Sequence, residues 1–181
     1  MNAKIYGIIG SAFMSMSVIP SVSILFNILG LIFLGIAIYS LNKDNEFNYF
    51  LIASILAFVA TVLFYFKIFA IISSVFLSIF SENPLVPIGF TVLIYFTIYY
   101  VLQIISAVFF KKSFSGIGVI YSNRFLQIGG VLLIIGTIFN IFVIGMLIYI
   151  IAWLVILLGF FTLEEIIDVE IVEEKKYLEK N

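Results

Sequence analysis

The 181-residue chain contains neither cysteine nor histidine. Disulfide bonds and thiolate chemistry are therefore excluded, and so are the side chains that most often bind zinc or haem. Charge is scarce as well, because Asp, Glu, Lys and Arg make up 10% of the residues, against about 25% in ordinary soluble domains. No block is basic enough to indicate a nucleic-acid partner.

The few charges are unevenly distributed. Residues 1–163 carry six Lys or Arg and three Asp or Glu, a net charge of +3, whereas residues 164–181 carry three Lys and seven acids, a net charge of −4. The sequence thus predicts a transmembrane domain over 1–163 and a charged cytoplasmic tail over 164–181. The tail is either a solvated end or a docking segment for a partner.

What the chain does contain is apolar. Hydrophobic residues make up 64% of the sequence and the mean hydropathy is +1.30, whereas soluble domains are roughly 45–50% apolar. A soluble core of this size could not bury so much Ile, Leu and Phe. We therefore expect an integral membrane protein of the cytoplasmic membrane, and its long uninterrupted apolar runs indicate an all-α transmembrane bundle.

The spacing of charges and breaks predicts about six short spans. A spanning helix needs about 20 apolar residues, and the uncharged runs 5–42 and 125–163 are each long enough for a tight hairpin of two. Pro20 divides the first run, and Asn140 with Gly145 divides the second. The predicted spans are 5–19, 22–41, 47–66, 87–110, 125–140 and 144–163. Segment 68–80 either extends the third span or lies along the interface.

Basic residues test this count, because Lys and Arg gather in cytoplasmic loops. With six crossings, eight of the nine basic residues share one side, and Lys67 alone lies on the other. With four crossings the division would be five against four. The distribution favours six crossings in a multi-pass protein with both termini in the cytoplasm.

The stretch "KKSFSGIGVIYSNR", residues 111–124, is either a binding loop or a linker between spans four and five. Gly116 and Gly118 lack the further glycines and the strand-to-helix context of a phosphate-binding loop. The basic residues lie at its two ends, where lipid headgroups bind. The sequence therefore predicts a cytoplasmic linker with Lys111, Lys112 and Arg124 as headgroup anchors.

Within the spans, ionisable residues are lacking at mid-bilayer depth, which disfavours a proton-coupled mechanism. Polar side chains there usually form hydrogen bonds between helices. Asn27, Tyr95, Tyr99 and Gln103 could alternatively line a polar path or a cavity for an amphipathic ligand. We predict no catalytic, metal-binding or cofactor-binding residue, since a Ser–Lys pair or a pair of acids within the bilayer is lacking, and hence no enzyme.

Small residues recur at helical spacing on three predicted spans. Because small side chains let helix backbones approach closely in lipid, we expect these positions to be helix contact faces. They are Gly7, Gly10, Ser11 and Ser15 on the first span, Gly30 and Gly35 on the second, and Gly129, Gly130 and Gly136 on the fifth.

Two stretches carry a resemblance to a known family. "EFNYFLIASIL", residues 46–56, is similar to an aromatic-Asn-Tyr-Leu-Ile-Ala entry into a span, and "KKSFSGIGVIYSNRFLQIGGVLLIIG" is similar to paired basic residues, Ser-Phe, a linker and a glycine-spaced helix. Together they resemble uncharacterised multi-spanning membrane proteins of archaea and some bacteria, a domain of unknown function. The resemblance implies the architecture over about 5–163, without an activity, and the Ile- and Asn-rich composition favours an archaeal source.

The function we expect is that of a small membrane protein acting through helix contacts. It would be an accessory or scaffold subunit, or a self-assembling homo-oligomer, with membrane lipids and a membrane complex as partners. The alternative is a small passive channel or transporter for a lipid or an amphipathic molecule.

Overall fold

The computed structural model describes residues 3–19, 23–41, 44–78 and 85–163. In these ranges all regular secondary structure is helical, which confirms the all-α class. The predicted tail, 164–181, which includes Lys175, lies outside the described residues, and so does Lys43. The six helices are α1 (Ala3–Met16), α2 (Ser23–Ser40), α3 (Asp44–Ser78), α4 (Leu85–Ile120), α5 (Arg124–Ile138) and α6 (Val143–Phe161).

The helices form a closed ring in chain order. Over the described residues, each helix packs against the next one along the chain, and α1 packs against α6. Glycines stand at several of these contacts: Gly10 faces Gly30 and Leu34 across α1 and α2, and Gly136 faces the backbone of Tyr149 across α5 and α6. Buried glycines at these positions confirm the predicted contact faces.

Apart from Lys67 on α3, the charged residues of the described ranges lie at one end of the ring. The Lys4 Nζ lies 5.2 Å from the centre of the Phe161 ring, so α1 begins beside the end of α6. Glu46, in the first turn of α3, lies against Gly116 near the end of α4. We call this the charged end, comprising Lys4, Asp44, Glu46, Lys111, Lys112 and Arg124, and we call the opposite end the open end.

Helix length departs from the prediction of uniformly short spans. Four segments are long and apolar enough to cross a membrane, namely Ser23–Ser40, Asp44–Phe66, Val92–Ile120 and Ile144–Phe161. Helices α1 and α5 have 14 and 15 residues, or about 21–23 Å, which is short of the roughly 30 Å of hydrocarbon. In contrast, α3 and α4 have 35 and 36 residues. Segment 68–78 extends α3 and is not a separate interfacial helix.

The prediction of a linker over 111–124 is wrong, because most of this segment is helical. Helix α4 continues through Lys111 and Gly118 to Ile120, and the connection to α5 is only residues 121–123. Packing explains the difference, because Phe114 and Ile117 are fully buried and hold these turns against the neighbouring helices. A Cβ atom on Gly118 would lie 2.8 Å from the Asn123 carbonyl oxygen, so the glycine permits close approach where sequence reasoning expected a loop.

The turn between α4 and α5 is closed by Asn123. Its side chain caps α5 by accepting a hydrogen bond of 3.2 Å from the Leu126 amide, as asparagine commonly does at a helix start. Its amide nitrogen donates to the Gly159 carbonyl on α6 at 2.8 Å. Ser122 adopts a positive φ of 50° to make the turn. One residue thus joins three elements at the charged end.

Candidate functional site

The interior of the ring is filled with aromatic side chains near the charged end. Phe114, which is fully buried, lies with its ring centre 5.9 Å from that of Trp153, 6.1 Å from Phe110 and 6.4 Å from both Phe50 and Phe160. These rings come from α3, α4 and α6. They occupy the space that a passage along the ring axis would need.

The polar residues proposed from sequence are distributed over two non-adjacent helices. Asn27 lies on α2, whereas Tyr95, Tyr99 and Gln103 lie on α4, and the ring order puts α3 between them. The Tyr99 ring packs against Phe64 of α3, with 5.3 Å between ring centres. The structure therefore brings Tyr99 to α3 and Asn27 to the other flank of α3. A shared polar path stays a prediction.

Hydrogen bonds between helices are made by residues that the sequence reasoning did not single out as a site. Ser106 of α4 donates to the Ala53 carbonyl of α3 at 2.8 Å, and the Tyr100 hydroxyl donates to the Ile138 carbonyl at the end of α5. For Tyr100 the signal was its polar hydroxyl at mid-span, which needs a partner when buried. A lone serine in an apolar helix carries no comparable signal, since it can bond its own backbone.

A groove lies between α2 and α3 in the half of the bundle toward the open end. It has a volume of about 210 Å³, and it opens laterally to the surroundings of the bundle. We define the α2–α3 groove by six of its residues: Ile24, Asn27 and Ile28 from α2, and Phe58, Thr61 and Tyr65 from α3. Positions 58, 61 and 65 share one face of α3 because they follow the helical repeat.

The α2–α3 groove combines apolar walls with a few polar groups. Thr61 donates to the Ala57 carbonyl at 2.8 Å. Within the described part of the chain, neither the Asn27 amide nor the Tyr65 hydroxyl forms a hydrogen bond, although both border the groove. Asn27 is the residue of the predicted polar path that lines this space. The involvement of Tyr65 was missed, since a single tyrosine near the end of a predicted span does not indicate which helix it faces.

The predicted headgroup anchors all lie at the charged end. The Lys112 Nζ lies 5.4 Å from the ring centre of Tyr49 and 5.6 Å from that of Phe109, in cation–π contacts. Lys111 is half-buried on α4, and Arg124 is exposed as the first residue of α5. Their positions are those that the sequence implied, although Lys111 and Lys112 belong to a helix and not to a linker.

A second hollow, of about 410 Å³, lies at the turn between α4 and α5. It is bordered by Tyr121, Asn123, Arg124 and Thr162, where Asn123 also donates to the Thr162 hydroxyl at 3.2 Å. Burial raises the pKa of Tyr121 above its usual value of 10.0. Sequence reasoning missed Asn123, and the signal that could have found it is an asparagine directly before an apolar helix.

In the described ranges there is no group of three or more acidic side chains placed to hold a metal ion. Comparison with curated proteins and with solved structures gives no match. A family described as "Protein of unknown function (DUF996)" matches residues 26–154, which include α3 to α5 entire, most of α2 and half of α6. The apolar helices and their bundle are those of an integral membrane protein, and the chain belongs to this family.

Proposed function

We propose that the protein is an accessory or scaffold subunit of a membrane assembly, or a self-assembling one, and that it acts through its outer helix surfaces. The observation that carries this proposal is the length of the α3–α4 hairpin, which extends past the other four helices at the open end. A role as an enzyme forms no part of the proposal.

Two observations show the level at which α5 and α2 end on the side of the open end. Tyr100 of α4 meets the end of α5 at Ile138, and Phe66 of α3 borders the same groove as Ile24 near the start of α2. Residues 67–78 of α3 and 85–99 of α4 lie past these levels. They form a projection of about 20 Å at 1.5 Å per residue, which we call the hairpin projection.

Two apolar side chains of the hairpin projection are largely exposed. Ile72 of α3 is 61% exposed and Leu93 of α4 is 62% exposed. A helix of 35 residues is about 52 Å long, which exceeds the roughly 40–45 Å of a bilayer with its headgroups. Apolar surface beyond the headgroups is exposed to water. Burying that surface against a partner would stabilise the assembly by about 25 cal/mol for each Å² of apolar area.

Cysteine cross-linking in native membranes tests the proposal, because the natural chain has no cysteine to interfere. We expect Ile72→Cys and Leu93→Cys to yield cross-linked species of defined mass with a short bifunctional maleimide. Ile151→Cys on α6, which is 50% exposed, is the matched control and should stay uncross-linked. Monomeric protein at all three positions, with a single-chain mass in lipid nanodiscs, would contradict the proposal.

The second candidate is a transporter for a lipid or an amphipathic molecule, and the observation that favours it is the lateral opening of the α2–α3 groove. The aromatic rings around Phe114 argue against a passage along the ring axis. Reconstituted vesicles with a fluorescent phosphatidylcholine, quenched from outside, distinguish the two candidates. Exchange of the lipid between leaflets supports transport, and its absence supports the assembly role.

The proposal includes the location and the orientation of the protein. It lies in the cytoplasmic membrane, with both termini and the charged end on the cytoplasmic side. The bias of basic residues toward one end supports it. Cysteines introduced at positions 82 and 115 should react with a membrane-impermeant maleimide from opposite sides. Reaction of both from the same side would overturn the six-crossing topology.

A further inference from the structure

Two polar residues, Asn27 and Tyr65, are among those that line the α2–α3 groove, whose walls are otherwise largely apolar. The Asn27 amide has two donor hydrogens and the Tyr65 hydroxyl has one, and neither forms a hydrogen bond in the described part of the chain. The walls around them are apolar side chains such as Ile24, Ile28 and Phe58. In a hydrocarbon environment an unpaired donor is costly, so an acceptor from outside the described residues would stabilise these two groups.

The depth of the groove indicates where that acceptor comes from. Asn27 lies one turn after the start of α2 at Ser23, or about 6 Å along the helix axis. Helix α2 has 18 residues and spans about 27 Å, close to the roughly 30 Å of hydrocarbon. Asn27 therefore lies near the edge of the hydrocarbon at the open end. Tyrosine favours the same depth, and Tyr65 lies on the facing flank of the groove.

The size of the groove limits its occupant. Pockets for whole drug-sized ligands measure about 300–1,000 Å³, whereas this groove measures about 210 Å³. It can enclose part of a chain and not an entire lipid. Its deeper wall, with Phe58 and Val62, is apolar, and Asn27 and Tyr65 lie nearer the open end beside Ile24 and Phe66. A lipid of that leaflet, with its acyl chain toward Phe58, matches this order.

We propose that the α2–α3 groove is a binding site for a glycerolipid of the bilayer. One acyl chain lies along Phe58 and Val62, and an acceptor oxygen near the glycerol level receives hydrogen bonds from the Asn27 amide and the Tyr65 hydroxyl. The site is independent of the assembly role, because it lies between α2 and α3 and not on the hairpin projection. A partner helix in the groove is the rival occupant, and the experiment separates the two.

The test uses the full-length protein in nanodiscs of phosphatidylcholine that contain a small fraction of phosphatidylcholine with a diazirine on one acyl chain. After irradiation, mass spectrometry maps the adducts. We expect adducts concentrated on the groove residues Phe58 and Val62, above the level on Ile144 and Leu147 of α6, although these two are more exposed, at 61% and 54%, than Phe58 at 47%. Adducts spread evenly over the lipid-facing helices would overturn the proposal.

Two variants examine the donors and the groove separately. Asn27→Leu with Tyr65→Phe removes the donors and should lower the yield of groove adducts about tenfold, as expected for the loss of two hydrogen bonds. Asn48→Leu with Tyr39→Phe is the matched control, since these exposed residues stand on the same two helices outside the groove. The control pair should keep the natural yield.

Val62→Trp fills the groove and leaves both donors in place, so it carries the test if the double variant does not fold. Circular dichroism and gel filtration establish folding for each variant. We expect Val62→Trp to abolish groove adducts. Unchanged adducts in both folded variants, or a protein cross-linked to the groove in place of lipid, would refute the lipid site.

Discussion

At the charged end of the bundle, α5 begins beside the last turn of α6 and the two are joined through Asn123, whereas at the open end α2 and α3 leave a groove of about 210 Å³ between them. The aromatic cluster around Phe114 belongs to the charged half. The hairpin projection belongs to the open half. The two halves therefore differ in how closely their helices pack.

This difference indicates how stability and interaction are divided in the molecule. In lipid, helices associate by close packing and by hydrogen bonds, because the surrounding chains are as apolar as the side chains. The charged end has both, through glycine contacts and Asn123. The open end has the α2–α3 groove and the exposed apolar side chains of the hairpin projection. We therefore expect substitutions in the aromatic cluster, at the glycine contacts and at Asn123 to affect folding, and substitutions in the α2–α3 groove and on the hairpin projection to affect binding.

The largest expected effect is that of Phe114→Ala. Removing a ring that contacts four other aromatic side chains leaves a cavity, and such changes cost about 3–5 kcal/mol. The free energy of unfolding in mixed micelles, followed by circular dichroism, measures it. The comparison is Phe66→Ala at the open end, where the ring is 60% exposed. An equal loss for both variants would remove the distinction between the ends.

Gly136→Val should come next. A Cβ atom at position 136 would lie 2.7 Å from the Tyr149 amide nitrogen and 2.9 Å from its Cα, so α5 and α6 must separate. Overpacking of this kind costs about 1–3 kcal/mol. Gly89→Val on α4 is the matched control, because nothing lies within 4 Å of a Cβ atom there. The same unfolding measurement applies, and a larger loss at position 89 would contradict the contact geometry.

Asn123→Ala is expected to have an intermediate effect. It removes the cap of α5 and the bonds to α6 at Gly159 and Thr162, which together correspond to about 1–2 kcal/mol. The exposed Asn48→Ala provides the control. Hydrogen exchange of the first turn of α5, read by mass spectrometry, should accelerate in the first variant only. Unchanged exchange there would show that the turn is held by other groups.

The smallest expected effect concerns pH at the charged end. Burial raises the pKa of Tyr121, so the folded state keeps this proton to a higher pH than the unfolded state does. The contribution to stability is therefore complete below a pH of about 10 and is lost as the pH rises through the folded-state pKa. The unfolding free energy of the natural protein should therefore fall relative to that of Tyr121→Phe above that pH. A constant difference would contradict the shift.

Much of this architecture could be predicted from the sequence. The number of helices, the break near Pro20 and the clustering of basic residues at one end follow from charge spacing and from helix-breaking residues. Gly10 and Gly136 were recognised as contact positions because small residues at helical spacing have few other uses in lipid. Lys111, Lys112 and Arg124 lie together at the charged end, and their role as headgroup anchors stays a prediction.

The errors have a common physical cause, which is tertiary packing. Gly116 and Gly118 look like loop residues when taken alone, but their lack of a Cβ atom lets Glu46 and Gln127 approach α4. The groove also depends on the separation of two helices, which no local pattern encodes. Asn27 could be named as a polar residue in a span, but its neighbours Thr61 and Tyr65 could be identified only from the packing of α3 against α2.

The most direct test of the contrast between the ends compares two pairs of engineered cysteines across α2 and α3 in lipid nanodiscs. Tyr39→Cys with Phe47→Cys lies at the charged end, where the two natural rings are 5.4 Å apart. Ile28→Cys with Val62→Cys lies across the groove. We predict that mild oxidation forms the disulfide rapidly in the first pair and at least tenfold more slowly in the second. Equal rates for the two pairs would contradict the account, because α2 and α3 would then be equally close at both ends.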